Sequence, residues 1–208
     1  MAAFPNRAKV VIVGVGGIVG ASVSHHLIEN GWDDIVGIDK SGIPTDIGSA
    51  TSHDLLSCWT TMYSIDFYEK MGHYARIGGI EVARVGDDAR MAELKRRVDS
   101  GKAFGTNVKI ITAAEAKEKF PLLEEDQIQG AMWDPDAGLV IPRSQTVAGK
   151  LIDQGVASNK LKIFANTSAL ELITENGRIT GVKTERGTIH ADYVVVCAGL
   201  WGRLIAEM

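Results

Sequence analysis

The stretch that decides the fold is VVIVGVGGIVG, residues 10–20. The run of mostly β-branched residues in AKVVIV, residues 8–13, is typical of a strand buried on both faces of a parallel sheet. A helical pattern follows over residues 17–30, and a second strand, DIVGID, covers residues 34–39. This order of strand, glycine-rich loop, helix and strand indicates a βαβ unit of about 30 residues.

The loop glycines, Gly14, Gly16, Gly17 and Gly20, do not have the G-x-G-x-x-G spacing. These glycines can still serve the three functions of such a loop, which are a sharp turn, close approach to a ligand and helix packing. Gly14 follows the strand directly and can make the sharp turn. Gly16 or Gly17 can let backbone N–H groups approach a pyrophosphate at the helix N-terminus, and Gly20 can let the helix pack on the strand. The sequence predicts a dinucleotide loop with one extra residue. A glycine-rich turn without a ligand is the alternative.

The residues after this unit favour FAD over NAD. Asp39 ends the second strand, where a carboxylate can accept hydrogen bonds from a ribose diol, and Lys40 is a further candidate contact on the adenosine side. A nicotinamide domain normally continues with more βα units. This chain instead returns through short alternating strands, which begin at KLKIF and turn at ENG and ERG, to the buried strand YVVVCAG at residues 193–199.

The predicted fold class is α/β: an FAD-binding, Rossmann-like parallel sheet of the two-dinucleotide-binding type, with a β-meander crossover and part of an inserted substrate-domain layer. We assign residues 1–75 to the first part of the FAD-binding domain, 76–142 to the partial insertion and 143–208 to the second part. Helices are expected at 55–71, 87–104, 112–120 and 143–157, the third with a Thr112–Glu115 capping box.

Composition excludes several other classes of protein. A net charge of -4 argues against a nucleic-acid partner, since phosphate binding needs a basic surface. No apolar run approaches the roughly 20 residues that span a bilayer. Cys58 and Cys197 have no metal-ligand spacing, which favours reduced thiols in the cytoplasm, with an organellar matrix as the alternative.

A series of motifs resembles the glycine/D-amino-acid oxidase-like (DAO) family of FAD-dependent oxidoreductases, and within it the dimethylglycine and sarcosine dehydrogenase/oxidase branch. The matching pieces, in chain order, are VVIVGVGGIVG, GWDDIVGIDK, SATSH, GGIEVA, FPLL, DPDAGLVIPRS and ADYVVVCAGLWG. The resemblance implies hydride removal from the carbon beside a secondary or tertiary amine, or an amino acid, to flavin N5. It also implies a small amine substrate and oxygen or a carrier protein as electron acceptor, while the lack of a long apolar run predicts no membrane partner.

The same resemblance singles out His53. In that branch a Ser-Thr-x-His motif carries FAD through a bond from the histidine to the flavin 8α carbon. The matching residues here are Ala50, Thr51, Ser52 and His53, while Asp54 stands where the family has a small apolar residue. His53 is therefore the candidate attachment site, with an unbonded flavin neighbour or an ordinary loop histidine as the alternatives.

The expected cofactor contacts come from the glycine loop, the acidic end of the second strand, the motif that contains His53 and the small residues of the later strands. They are Gly14, Gly16, Gly17, Ile18, Val19, Asp39, Lys40, Thr51, Ser52, His53, Ala169, Ala198 and Gly199. No catalytic residue and no metal ligand is predicted, because the family's catalytic groups follow CAGLWG. The chain resembles the N-terminal portion of a larger enzyme. A catalytically silent fragment and, further off, an NAD-dependent dehydrogenase are the alternatives.

Overall fold

The computed structural model describes residues 3–43 and 55–208. These residues form two compact units. The first joins Met1–Ser49 with Ser144–Met208, and the second is Ala50–Arg143.

Strands and helices alternate along the chain. The strands are β1 Arg7–Val13, β2 Ile35–Ile38, β3 Tyr74–Arg76, β4 Gly79–Arg84, β5 Lys109–Ile111, β6 Ile128–Asp134, β7 Gly138–Val140, β8 Leu161–Phe164, β9 Ala169–Glu175, β10 Arg178–Thr184 and β11 Gly187–Val196. The helices are α1 Ile18–Glu29, α2 Leu55–Lys70, α3 Asp88–Ala103, α4 Ala113–Lys119, α5 Gln145–Ala157 and α6 Gly202–Ala206.

The first unit is built on a six-stranded sheet in the order β8-β2-β1-β11-β10-β9. The strands β8, β2, β1 and β11 are parallel, and β10 and β9 continue the sheet antiparallel. Val13 pairs with both Ile38 and Val196, so β2, β1 and β11 end at the same edge of the sheet. This confirms the predicted α/β class, with a parallel sheet entered through a meander.

One strand of the meander was assigned wrongly. KLKIF does not begin the antiparallel strands: it contains β8, which pairs parallel with β2 at the far side of the sheet. The reason is α5, which packs against α1 and returns the chain to the parallel layer before the hairpins begin. The hairpins at ENG and ERG then connect β9, β10 and β11 as predicted.

Burial in the first unit follows from its side chains. Val10, Val11 and Ile12 of β1 are at most 1% exposed, and all of β2 is buried, as a β-branched strand covered on both faces requires. The buried residues of α1 are small, namely Gly20, Ala21 and Ser24, which lets this helix lie close to the sheet. The core thus fixes the edge at which β1 and β2 end.

The second unit contains a three-stranded antiparallel sheet, β4-β6-β5, and a two-stranded ladder, β3-β7. Asp87 caps α3, and Thr112 with Glu115 forms the predicted capping box of α4. The helix α2 packs against β3, and both belong to the second unit. In the part of the chain that the structure describes, no helix combines the length and hydropathy needed to cross a bilayer.

Candidate functional site

The turn between β1 and α1 depends on Gly14. Its φ is +90°, a conformation that residues with a side chain rarely adopt. A Cβ atom at this position would also overlap the carbonyl oxygen of Cys197, at the end of the neighbouring strand. The backbone N–H of Cys197 in turn donates to the carbonyl of Val13 at 2.7 Å. Glycine is therefore required at this point both for the turn and for the close approach of β11.

The N-terminus of α1 opens directly from this turn. Gly17 is the N-cap residue with extended backbone, no side chain caps it, and the first turn carries no acidic residue. A Cβ on Gly20 would overlap the carbonyl oxygen of Gly14, so this glycine lets the helix pack on the turn. Ile18 and Val19 are the first two helical residues, and their N–H groups lie at the positive end of the helix dipole. This end of α1 suits an anion.

Asp39 lies at the end of β2 and is only 8% exposed. Its Oδ2 accepts a hydrogen bond of 3.1 Å from the backbone N–H of Gly16. Its Oδ1 accepts bonds from the N–H and the hydroxyl of Ser41, at 3.0 and 2.8 Å. A Cβ on Gly16 would lie 2.9 Å from Oδ2, so glycine lets the loop reach the carboxylate. Asp39 thereby ties the end of β2 to the glycine loop.

The loop after β8 joins the same cluster. The N–H of Thr167 donates to the carbonyl of Asp39 at 2.7 Å, and the N–H of Asn166 donates to the carbonyl of Ser41 at 3.0 Å. Thr167 is fully buried. Neither Ser41 nor Thr167 is among the contacts that the sequence predicts. Asp-x-Ser is a local turn signal that could have found Ser41, whereas nothing near Thr167 in the sequence points to its remote partner.

The remaining predicted contacts of the first unit lie after β2 and after β11, and at the start of β9. Lys40 is exposed, and its Nζ lies 3.4 Å from the ring centroid of Trp201. Ala198 and Gly199 come two and three residues after the end of β11, and Gly199 has a φ of +55°. Ala169 opens β9 and packs against the core of the unit.

Cys197 is a free thiol between β11 and these small residues. Burial raises its pKa, which keeps it protonated and weakly nucleophilic. The geometry thus supports a packing role. The predicted contacts Thr51, Ser52 and His53 lie outside the described residues.

The second unit contains a cavity of about 810 Å³ that is open to solvent and is lined in large part by residues of α2, α3, β4 and β6. At its rim, Arg76 forms ion pairs with Asp66, Glu69 and Asp136. Arg97 joins Glu81 and Glu93 at 2.8 and 2.5 Å. Among the described residues no group of acidic, histidine or cysteine side chains is arranged to hold a metal ion.

A glycine turn, an uncapped helix N-terminus and an acidic strand end, meeting at one edge of a parallel sheet, define a Rossmann-like dinucleotide-binding domain. Comparison with known families makes this more specific. Residues 9–208 match the DAO family, described as FAD dependent oxidoreductase, so the chain belongs to that family. The resemblance drawn from the motifs is thereby confirmed.

Three curated relatives span almost the whole chain. A mouse protein named pyruvate dehydrogenase phosphatase regulatory subunit, mitochondrial, is 32% identical over 96% of this chain. The 4-methylaminobutanoate oxidase (formaldehyde-forming) of Paenarthrobacter nicotinovorans is 29% identical over 97%, and human mitochondrial sarcosine dehydrogenase is 24% identical over 98%. The chain spans about a quarter of the length of each relative, namely 24%, 26% and 24%.

A solved structure matches the fold closely. The crystal structure of L-proline dehydrogenase from P. horikoshii superposes with a TM-score of 0.85 and 27% sequence identity. The match covers 99% of this chain and 56% of that one. The two compact units therefore correspond to a part of a known DAO-type fold.

Proposed function

We propose that the first unit binds FAD and that the whole protein is an oxidoreductase acting on a secondary or tertiary amine or an amino acid. The observation that carries the proposal is the meeting of Gly14, Asp39 and the start of α1 at one edge of the sheet. The names of the oxidase and dehydrogenase relatives, all of which denote amine or amino-acid substrates, support the substrate class.

The residues present fit the ADP half of FAD. The uncapped N-terminus of α1 would take the diphosphate, through the N–H groups of Gly17, Ile18 and Val19. A carboxylate has about four acceptor positions, and three on Asp39 are already used by Gly16 and Ser41. One position is thus left for a ribose hydroxyl, and a second bond from the diol requires Ser41 to turn away.

The small residues around this edge would complete the contact surface. Gly16, Ala198 and Gly199 present little or no side chain, which lets a flat or charged group approach the backbone. Ala169 is retained as a contact because it follows Thr167 by two residues, and Thr167 hydrogen-bonds to Asp39. Lys40 supplies a positive charge on the adenosine side.

FAD bound at this edge would supply the redox chemistry by accepting a hydride from the carbon beside the amine. The described residues of the first unit would bind this cofactor and hold it in a fixed orientation.

We assign residues 1–49 and 144–208 to the FAD-binding domain and residues 50–143 to part of the substrate-domain layer. The electron acceptor would be oxygen or a carrier protein. We expect a cytoplasmic or matrix location, the latter because two relatives carry mitochondrial in their names.

We also propose His53 as the covalent attachment site, on the motif Ala50-Thr51-Ser52-His53. The test is the absorbance spectrum of the purified chain after acid precipitation. Flavin bands that stay with the pellet, and leave it in His53→Ala, are the expected result. Flavin released to the supernatant from the parent chain would contradict covalent attachment while leaving FAD binding intact.

A second candidate function is a non-catalytic regulatory role with weak or no FAD binding. The 32% identity to a protein named as a regulatory subunit favours it. The two functions separate when the flavin-loaded protein is mixed anaerobically with sarcosine, dimethylglycine or proline. Bleaching of the flavin band near 450 nm supports the oxidoreductase, and a colourless protein that stays colourless with added FAD supports the regulatory role.

A further inference from the structure

Lys40 and Trp201 form a contact that neither the predicted loop nor the acidic strand end explains. The Nζ of Lys40 lies 3.4 Å from the centroid of the Trp201 ring, well inside the distance at which an ammonium is attracted by an aromatic face. Lys40 forms no ion pair with any carboxylate of the described residues. Its ammonium lies over the face of the indole.

Lys40 and Trp201 follow the two strands that flank β1 in the sheet. Lys40 follows β2 by two residues, and Trp201 closes the short turn Gly199–Trp201 after β11. Because β2 and β11 lie on either side of β1, the two strands are about 10 Å apart. The Lys40–Trp201 contact therefore crosses the edge at which β1 ends and the Gly14 turn begins.

The turn that carries Trp201 is fixed by its own backbone. Gly199 has a φ of +55°, and the N–H of Trp201 donates to the carbonyl of Ala198 at 3.1 Å. Trp201 is half-buried, whereas the Lys40 side chain is exposed. The half-buried indole is therefore held in place, whereas the exposed lysine side chain can move.

We infer that Lys40 and Trp201 form a clasp that closes over the dinucleotide bound at the β1 edge and slows its release. This inference rests on the proposed binding of FAD by the first unit. A dinucleotide with its ribose at Asp39 and its diphosphate at α1 lies between the strand ends that the clasp joins. The Lys40 ammonium then stays close to the diphosphate while its contact with Trp201 holds the side chain across the opening. Release requires that contact to break.

The test measures FAD association and dissociation rates of the 208-residue chain in a His53→Ala background, so that no covalent bond obscures release. Lys40→Met and Trp201→Leu should each speed dissociation about tenfold, the range expected for loss of a cation–π contact. The double variant should be no faster than either single variant, because both remove the same contact. Lys40→Arg should stay near the parent rate, since a guanidinium also stacks on indole.

The chain offers a matched control in Lys9, whose Nζ lies 4.9 Å from the Trp32 ring centroid. Lys9 pairs by its backbone N–H with the carbonyl of Asp34, which precedes β2, so it lies toward the opposite edge of the same sheet. Lys9→Met removes the same charge and the same kind of contact, and it should leave both rates unchanged. An equal effect of Lys9→Met would overturn the clasp in favour of general electrostatic attraction.

The other outcomes separate the clasp from the proposed function. An unchanged dissociation rate in Lys40→Met, or a change confined to association, overturns the clasp while FAD binding by the parent upholds the proposed function. A parent chain that binds no FAD overturns both. In the parent without flavin, the ring current of Trp201 should shift the ε-methylene protons of Lys40 upfield, and this shift should disappear in Trp201→Leu.

Discussion

At the level of single residues, the site depends on positions where the backbone leaves no room for a side chain. Gly14 occupies a positive φ against the carbonyl of Cys197, and Gly20 touches the carbonyl of Gly14. Gly31 also has a positive φ, of +85°, but a Cβ there would meet nothing within 4 Å. Comparing Gly14 with Gly31 thus separates backbone strain from close packing.

We expect Gly14→Ala to lower the free energy of unfolding by about 3 kcal/mol, since it combines an unfavourable φ with a steric clash. Gly31→Ala should cost about 1 kcal/mol, since only the strain of the φ remains. Urea denaturation followed by circular dichroism measures both. Equal losses in the two variants would show that the contact with Cys197 does not constrain the loop.

Cys197 gives a prediction about pH. Because burial raises the pKa of its thiol, the reactive thiolate should appear only at a pH above the ordinary range of a free cysteine. In a Cys58→Ser background, the rate of alkylation by iodoacetamide should therefore rise at higher pH than it does for a cysteine-containing peptide. A rate profile that coincides with that of the peptide would contradict this assignment.

The sequence predicted the turn at Gly14 and the packing of Gly20 on that turn, because both depend on the strand and the helix that adjoin the loop. It did not predict that Asp39 already accepts hydrogen bonds from Gly16 and Ser41. Nor did it indicate Trp201, whose partner Lys40 is remote in sequence. Contacts between strand ends depend on strand order, which no local pattern encodes.

At the scale of elements, local signals predicted helices better than short strands. The capping box of α4 followed from Thr112 and Glu115 alone, whereas β3 and β7 have three residues each and exist because they pair with each other. The strand β8 was placed in the wrong part of the sheet because its pattern, LKIF, fits an alternating strand as well as a parallel one. Whether a short strand forms, and where in the sheet it lies, thus depends on the strand with which it pairs.

The capping box can be tested directly. Thr112→Ala should lower the free energy of unfolding by about 1 kcal/mol, because the side chain accepts a bond from the N–H of Glu115. Thr174→Ala, on the exposed face of β9, serves as a control of the same composition change and should cost less. A loss no larger than that of Thr174→Ala would show that the cap does not stabilise α4.

The partner carboxylate gives this box a pH dependence. Hydrogen bonds from the backbone and the hydroxyl of Thr112 lower the pKa of Glu115. Its contribution is therefore present above the pKa of the unfolded chain and is lost as the pH falls through the lower folded value. Unfolding at pH 7 and at pH 3 should show Glu115→Ala destabilising at the first pH and nearly neutral at the second. An equal effect at both pH values would show that the ionised carboxylate of Glu115 does not stabilise the capping box.

At the scale of the whole molecule, the first unit is discontinuous in sequence and the second is inserted into it. Each has its own hydrophobic cluster, one around Val11 and Ile189 and the other around Ile111 and Ala131. The sequence predicts an insertion over residues 76–142, whereas the packing of α2 on β3 is a tertiary contact that no local pattern encodes.

Because the FAD contacts proposed on the described residues lie in the first unit, FAD should protect amides there and leave α3 and α4 of the second unit unprotected. Hydrogen exchange with mass spectrometry should show slower exchange in peptides covering residues 10–20, 39–43 and 165–168. Peptides of α3 and α4 serve as the internal control. Protection that is equal in both units would contradict binding at the β1 edge.

FAD binding at the β1 edge can be measured by titrating the 208-residue chain with FAD and following the flavin fluorescence. Saturable quenching at one site, retained in Gly31→Ala and abolished in Asp39→Arg, is the predicted result, because arginine would remove the ribose acceptor and fill the edge. Binding that persists in Asp39→Arg, or no binding by the parent chain, would contradict the account.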